Sequence, residues 1–191
     1  MVDLLLYSLP IKSSIRNYEV FFSKSIFESF EAELKPDDVI FVDRKVFGYL
    51  NKNVQQLITA NKHIFIDATE KQKSYTALTP IIGELIESGF RKNNRLIAIG
   101  GGITQDITAF IASMMYRGVT WLFFPTTLLA QADSCIGGKT SINIGKYKNQ
   151  LGNFYPPMKI FIILELVKTL SELDFKSGMG EMLHFYLVSG E

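Results

Sequence analysis

The sequence is poor in cysteine and histidine and has no excess of charge of either sign. One cysteine in 191 residues excludes an internal disulfide framework and is typical of a reducing compartment. The 20 Lys and Arg residues nearly balance the 19 Asp and Glu residues, so the totals favour neither a nucleic-acid partner nor a strongly acidic surface. The sequence has two histidines, His63 and His184.

Long apolar runs are also missing. The N-terminal stretch has no basic segment, and only Leu4 to Leu6 form a continuous apolar run there, which is too short for a signal peptide. No run approaches the roughly eighteen apolar residues of a membrane-spanning helix. We therefore expect a cytoplasmic protein without a membrane partner.

Short apolar runs alternate with helical periodicity. The runs are rich in β-branched and aromatic residues and too continuous for strands with one exposed face: VIFV (39–42), HIFI (63–66), RLIAI (95–99), TWLFF (120–124) and KIFIIL (159–164). Helical spacing is clearest at 74–90 and 106–117. This alternation predicts an α/β fold with a Rossmann-like, mostly parallel sheet and helices on both faces.

The end of the sequence predicts a second unit. A potential helix-capping serine, Ser171, precedes an apolar helix of about ten residues that has no visible partner. We expect residues 1–169 to form the α/β domain. Residues 170–191 are expected to begin a truncated helical domain for metal and substrate, otherwise absent from this chain.

Ligands of parallel sheets bind beyond the carboxyl ends of the strands. GGGITQD (100–106) directly follows one predicted strand and opens a helix, a context in which backbone amides bind phosphate. Gln105 stands where the third glycine of a dinucleotide motif would fall, so a simple tight turn remains an alternative. Asp106 is also explained as a first-turn residue that favours the helix dipole.

The segment from Ser134 to Leu164 contains no acidic residue. It holds several lysines and glycines, namely Lys139, Lys146, Lys148, Lys159, Gly137, Gly138, Gly145 and Gly152. Clustered ammonium groups on a flexible backbone indicate a phosphate or carboxylate site, although a solvated basic loop is the alternative. Cys135 has no histidine nearby in sequence, so we interpret it as a packed residue rather than a nucleophile.

Two further pairs remain open between a structural and a functional interpretation. Thr126 and Thr127 follow a strand and suit either a cap of the next turn or a cofactor contact. Glu181 and His184 share one helix face, where they fit either a metal site or a simple hydrogen bond. His63 begins a strand and is expected to be structural.

Five motifs together resemble those of 3-dehydroquinate synthases and the wider sugar-phosphate cyclase family. They are GGGITQD, MYRG, FPTTLLAQADSCIGGKTSIN, GKYKNQLGNFYPP and SGMGEM, and the likeness runs from about residue 38 to the end. The resemblance implies a lyase of the shikimate pathway that uses NAD and a divalent metal, expected to be zinc. Its reaction is the cyclisation of 3-deoxy-arabino-heptulosonate 7-phosphate, a phosphorylated sugar acid, with loss of phosphate. A homodimer is also implied.

The resemblance assigns roles to individual residues. It implies NAD contacts for Asp43, Glu70, Lys73, Gly101, Gly102, Asp106, Thr126, Thr127, Asp133, Lys139, Lys148 and Thr169. It implies catalytic or substrate-binding roles for Asp133, Lys139, Lys148, Asn149, Arg117 and His184. The arginine would reach the substrate phosphate across the dimer interface. Glu181 matches a zinc ligand that precedes two histidine ligands in the family.

Three residues depart from the family pattern. Gln105 replaces a glycine, Cys135 replaces a common serine, and His184 stands where the dehydroquinate enzymes usually carry a lysine. Two alternatives therefore stay open. One is a paralogous cyclase that acts on sedoheptulose 7-phosphate or a similar sugar phosphate, and the other is a nucleotide-binding module without catalysis.

Overall fold

A computed structural model describes residues 5–190, apart from the side chain of Phe185. Residues 1–4 of the N-terminal stretch and residue 191 of the predicted second unit lie outside this range. Nine strands are present in the described part: β1 (Leu5–Ile11), β2 (Tyr18–Ser23), β3 (Val39–Asp43), β4 (His63–Ile66), β5 (Arg95–Gly100), β6 (Thr120–Pro125), β7 (Lys139–Ile144), β8 (Tyr147–Phe154) and β9 (Lys159–Ile163).

Seven of these strands form one sheet in the order β1-β2-β9-β6-β5-β3-β4. Within the described residues its neighbours are parallel except for the antiparallel β1–β2 pair. Every residue of β3 and β5 is buried, because these strands lie inside the sheet with both faces covered. The predicted mostly parallel sheet is thereby confirmed, and the five predicted strands are all present.

The helices cover both faces of the sheet. They are α1 (Ile26–Glu33), α2 (Arg44–Tyr49), α3 (Lys52–Thr59), α4 (Tyr75–Glu87), α5 (Gly102–Met114), α6 (Leu164–Val167) and α7 (Glu172–Ser189). Along β3, Phe41 belongs to a core that α4 and α5 complete. Its neighbour Ile40 belongs to a second core that includes α1 and α3. Alternation along the strand therefore supplies both cores.

The predicted helix at 106–117 begins and ends earlier than expected. Gly101 is its N-cap, α5 starts at Gly102, and a 3-10 turn at Met115–Arg117 follows the α-helix. Asp106 consequently lies beyond the first turn, so the interpretation that it only favours the helix dipole there is wrong. Gly101 and Gly102 rather than an acidic residue open this helix.

Helix α7 has the serine cap that its sequence predicts but is longer than expected. The Ser171 hydroxyl accepts from the Asp174 amide at 3.1 Å, and the helix spans 18 residues. Among the described residues of α7, Gly178 alone is buried, and a Cβ there would lie 2.6 Å from Leu128 Cβ. Within residues 5–190, no helix has the length and apolarity needed to cross a membrane. The assignment of 170–191 to a separate domain stays a prediction.

Candidate functional site

The carboxyl ends of the parallel strands meet at one edge of the sheet. There β3 ends at Asp43, β5 at Gly100 and β6 at Pro125, and the residues that follow include most of the predicted cofactor contacts. Two cavities open at this edge, one lined by residues at and after the ends of β3, β6 and β9, and the other by residues that include the start of α5 and the β7–β8 hairpin. A polar ligand site is expected here in a doubly wound sheet.

The first cavity has a volume of about 320 Å³. Its lining includes four of the predicted cofactor residues: Asp43, Thr126, Thr127 and Thr169. The Asp43 carboxylate caps α2, with Oδ1 accepting from the amides of Lys45 at 2.8 Å and Val46 at 3.3 Å. Both bonds use the same oxygen, so Oδ2 is left as an acceptor for a ligand.

The two threonines after β6 have different roles. Thr127 Oγ1 accepts from the Ala130 amide at 3.2 Å and so caps the next turn. Thr126 is 3% exposed, and its Oγ1 has no hydrogen-bond partner within the part of the chain that the structure describes. Since a buried hydroxyl without a partner costs free energy, this atom indicates a polar group that enters the cavity from outside the chain.

Glycines let the chain approach closely at the start of α5. A Cβ at Gly101 would come within 2.9 Å of Thr127 Cγ2, so a larger residue would disturb the packing between the cavities. At Gly102 the nearest neighbour of such a Cβ would be Ser134 Oγ at 3.9 Å, an ordinary van der Waals contact, so this position has room for a side chain. No side chain caps the first turn of α5, so its amides remain for an anion.

The second cavity has a volume of about 230 Å³ and brings several predicted residues together. Those in its lining are Lys73, Gly102, Asp106, Asp133, Lys139 and Asn149. The basic, glycine-rich stretch that contributes two of them is the β7–β8 hairpin and not a flexible loop. Lys139 forms no ion pair with any described residue, so its ammonium group is available to an anionic ligand.

A buried ion pair organises this cavity. Lys73 Nζ lies 2.5 Å from Asp106 Oδ2 and donates to Asn149 Oδ1 at 2.8 Å. The Ser141 amide donates to Asp106 Oδ1 at 3.0 Å. Burial raises the pKa of Asp106, and the hydrogen bond and charge of Lys73 oppose that rise. Lys73 and Asp106 therefore balance each other's charge and tie α5 to the hairpin.

Glu70 and Lys148 lie beside the second cavity and are not among the residues that line it. Lys148 Nζ is 3.8 Å from Glu70 Oε2, and both side chains are at least half exposed, at 69% and 50%. Asn143, which the sequence analysis missed, donates to Glu70 Oε2 at 2.9 Å and accepts from the Asn149 amide at 2.9 Å. Asn143 lies two residues after Ser141, and side chains two positions apart on a strand point to the same face. This spacing is the sequence signal that could have indicated Asn143.

Arg117 lies away from both cavities. It is exposed at the C-terminal end of α5, whereas Asp106 and Gly102 lie at the N-terminal end. A rise of about 1.5 Å per residue separates the ends of a helix of this length by roughly 18 Å. Arg117 therefore does not join the site of its own chain.

Glu181 and His184 lie on α7, where both are exposed. Within the described residues, no group of three or more His, Cys, Asp and Glu side chains is arranged to hold a metal ion. Glu181 thus has no second and third ligand in this part of the chain, and metal binding by Glu181 stays a prediction.

The cysteine and the other histidine are structural, as expected. Cys135 is fully buried, and burial raises its thiol pKa to about 12, with the charge of Asp133 adding to the rise. Such a thiol is a poor nucleophile. The His63 ring packs against Phe65 with 5.0 Å between centroids, and its Nδ1 lies 2.9 Å from the Asn61 carbonyl oxygen.

This arrangement defines an α/β protein with two polar cavities at the carboxyl edge of its parallel sheet. The profile of a family described as 3-dehydroquinate synthase N-terminal matches residues 63–177. A 3-dehydroquinate synthase of Clostridium tetani is 35% identical over 167 residues, which cover 86% of this chain and 45% of the relative. The corresponding Streptococcus equi enzyme is 34% identical over 183 residues, covering 92% and 51%. The chain belongs to the 3-dehydroquinate synthase family and spans about half the length of these curated relatives.

Solved structures of sugar-phosphate cyclases have the same fold. A 2-deoxy-scyllo-inosose synthase complexed with carbaglucose-6-phosphate, NAD+ and Co2+ superposes with a TM-score of 0.79 at 23% identity, covering 93% of this chain and 50% of that one. A 2-epi-5-epi-valiolone synthase of Streptomyces hygroscopicus with NAD+ and Zn2+ gives 0.79 at 24% identity, covering 91% and 49%. The Rossmann-like α/β fold predicted from the sequence is thus confirmed.

Proposed function

We propose that this chain is the NAD-binding part of a 3-dehydroquinate synthase. The enzyme would cyclise 3-deoxy-arabino-heptulosonate 7-phosphate, eliminate phosphate and act in the cytoplasm as part of the shikimate pathway. The family match across residues 63–177, which include the whole lining of the second cavity, carries this proposal. Identities of 34 and 35% to enzymes named 3-dehydroquinate synthase support it further.

The described residues fit a dinucleotide. Asp43 Oδ2 is an acceptor for ribose hydroxyls, and the uncapped amides at Gly102 suit the diphosphate. The unpartnered Thr126 hydroxyl supplies a further hydrogen bond. When bound, NAD would supply the hydride acceptor for oxidation of a ring alcohol. The protein's contribution at this edge is to bind and orient the dinucleotide.

The second cavity suits the anionic substrate. Lys139 would hold a phosphate or carboxylate, since no described carboxylate pairs with it. Lys73 is already neutralised by Asp106, so its role would be to hold Asn149 and the hairpin in place. Asp133 and Lys148 are both exposed. Asp133 lines the second cavity and Lys148 lies beside it, so a ligand bound there would contact them.

The described residues alone do not fit a divalent metal. Glu181 is a single carboxylate, and structural or catalytic zinc sites use three or four protein ligands. We propose Glu181 as one ligand of a shared metal site. Zinc binding by this chain that is unaffected by Glu181→Gln would contradict that role.

Arg117 is proposed to act on the neighbouring subunit of a homodimer. Its φ of 62° and that of Tyr116, 49°, are left-handed, and the Lys92 ammonium group donates to the carbonyls of Tyr116 and Gly118. A strained exposed turn of this kind is a candidate functional element. The test uses the longest natural polypeptide that contains this chain. Dimers that combine an Arg117→Ala subunit with a Lys139→Ala subunit would regain activity, because one of their two sites would hold both side chains. No regain after verified subunit exchange would exclude the role.

His184 supports a second candidate, a paralogous cyclase. The dehydroquinate enzymes usually carry lysine at this position, an ammonium group on a flexible stem, whereas His184 brings a planar imidazole with different hydrogen-bonding groups. A less anionic sugar phosphate such as sedoheptulose 7-phosphate would suit that pocket. Efficient phosphate release from 3-deoxy-arabino-heptulosonate 7-phosphate by the longest natural polypeptide rejects the paralogue. Release from neither sugar phosphate, combined with NAD binding, supports a non-catalytic nucleotide-binding module.

The NAD proposal is tested by calorimetry on the 191-residue chain. Thr126→Val removes the unpartnered hydroxyl at constant shape and should weaken NAD binding roughly 3- to 10-fold, the range for one net hydrogen bond. Thr120→Val, at the opposite end of β6, is the matched control and should leave the affinity unchanged. No NAD binding by the wild type at millimolar concentration would overturn the proposal.

A further inference from the structure

Gln105 is a buried amide at a position where the family pattern has glycine. It is 4% exposed and lines the second cavity. Its Nε2 donates to the Ser134 carbonyl at 2.6 Å, and its Oε1 accepts from the Ser134 hydroxyl at 2.9 Å. These two bonds form a clasp between α5 and the segment that follows β6.

The clasp acts on an unusual turn. Residues Ala130–Ser134 form a π-helical turn in which the Cys135 amide donates to the Ala130 carbonyl at 3.1 Å. Such turns are rare and occur frequently at functional sites. Asp133 is exposed and projects from this turn into the lining of the second cavity.

A different glutamine fixes the start of the same turn. Gln131 Nε2 donates to the carbonyls of Pro125 at 3.0 Å and Ile163 at 3.3 Å, which joins the turn to the ends of β6 and β9. Gln105 fixes the other end, directly after Asp133. With glycine at 105, the Ser134 carbonyl and hydroxyl would lose both of these bonds to α5.

We propose that Gln105 is a positioning residue that holds the π-helical turn and thereby places Asp133 in the second cavity, where the nicotinamide would meet the substrate if Asp43 holds the other ribose and Gly102 the diphosphate. This inference rests on the proposed function, because it assumes that NAD binds along this edge. Gln105 acts through Ser134 and does not itself contact the reacting atoms. A purely structural role in α5 would instead affect every ligand of the site equally.

The affinity for ADP-ribose distinguishes a positioning role of Gln105 from a purely structural one. ADP-ribose shares the adenosine, ribose and diphosphate groups with NAD but lacks nicotinamide. Calorimetry on the 191-residue chain compares both ligands for the wild type, Gln105→Ala, Ser134→Ala and the double variant. We expect each single variant to weaken NAD roughly 3- to 10-fold, the range for hydrogen-bond loss, and to change ADP-ribose affinity less than about 2-fold. The double variant should be about as weak as Gln105→Ala alone, since Gln105→Ala already removes both bonds of the clasp, whereas Ser134→Ala removes only the bond of its hydroxyl.

Gln55→Ala is the matched control. In the wild type, Gln55 Nε2 donates to the Phe47 and Leu50 carbonyls, each at 2.9 Å, and Gln55 lines neither cavity. The NAD to ADP-ribose affinity ratio of Gln55→Ala should equal that of the wild type. Should Gln105→Ala fail to fold, as judged by circular dichroism, Ser134→Ala carries the same test.

The outcomes separate this inference from the proposed function. A wild type that binds neither ligand overturns both. A wild type that binds both ligands, with variants that weaken both equally or neither, overturns the positioning role and leaves the NAD proposal standing. Selective loss of NAD affinity supports the role of Gln105.

Discussion

Helices α5 and α7 are both apolar, yet the structure buries one and exposes the other. Eight of the 13 residues of α5 are buried, between the sheet and the β7–β8 hairpin. In α7, Leu173 is 78% exposed and Leu187 is 76% exposed. Helical periodicity alone therefore does not determine burial, because the neighbours of a helix decide whether its apolar side chains leave water.

The same contrast separates the residues assigned to the site. Gln105 and Asp106 on α5 are fixed by partners from distant segments. Glu181 and His184 on α7 are exposed. The described chain thus organises the proposed nucleotide and anion contacts by its own packing, whereas the proposed metal contact is not organised by residues 5–190.

The largest expected difference between the helices concerns packing. Phe110→Ala in α5 removes a side chain that is 7% exposed, and should lower the free energy of unfolding by about 3–5 kcal/mol. Leu187→Ala in α7 should change it by less than about 0.5 kcal/mol, since the side chain is already in water. Urea denaturation of both variants provides the comparison. Equal losses would contradict the difference in burial.

The second difference concerns ion pairs. Lys73→Met keeps the side-chain volume but leaves the Asp106 carboxylate without its cation. We expect a loss of about 2–3 kcal/mol at neutral pH, somewhat below a fully buried pair because the Asp106 side chain keeps 18% exposure. The Lys73→Met, Asp106→Asn double variant should recover part of this loss. A single variant as stable as the wild type would show that the pair contributes nothing.

The pH dependence of this pair has a defined sign. Burial raises the pKa of Asp106, so the folded state binds its proton more tightly than the unfolded state does. The contribution of Asp106 to stability is therefore most favourable at low pH and declines as the pH rises through the folded pKa. Measured from about pH 4 to about pH 7, the stability of Asp106→Asn should rise relative to the wild type. A relative fall would mean that the charge of Lys73 outweighs burial.

The buried strands and the candidate residues at 100–106, Thr126 and Thr127 were predicted from the sequence for one physical reason, whereas Asp43, Lys73 and Thr169 were implied by the family resemblance alone. Parallel strands buried on both faces need continuous apolar runs, and the residues after them meet at one edge. The β7–β8 hairpin was missed because β8 is almost wholly exposed and its sequence, YKNQLGNF, lacks an apolar run. Contacts such as Asn143 to Glu70 join residues 73 positions apart, which no local pattern reveals.

The smallest expected effect is that of the ion pair on α7. Lys176 Nζ lies 2.6 Å from Glu172 Oε1, nearly the same separation as the Lys73–Asp106 pair, but the α7 side chains are 69% and 81% exposed. Water and salt screen such a pair, so Lys176→Ala should change the free energy of unfolding by less than about 0.5 kcal/mol. Adding salt to about 1 M should leave that difference within error, because little attraction remains to be screened. A loss as large as that of Lys73→Met would mean that distance rather than burial sets the strength of these pairs.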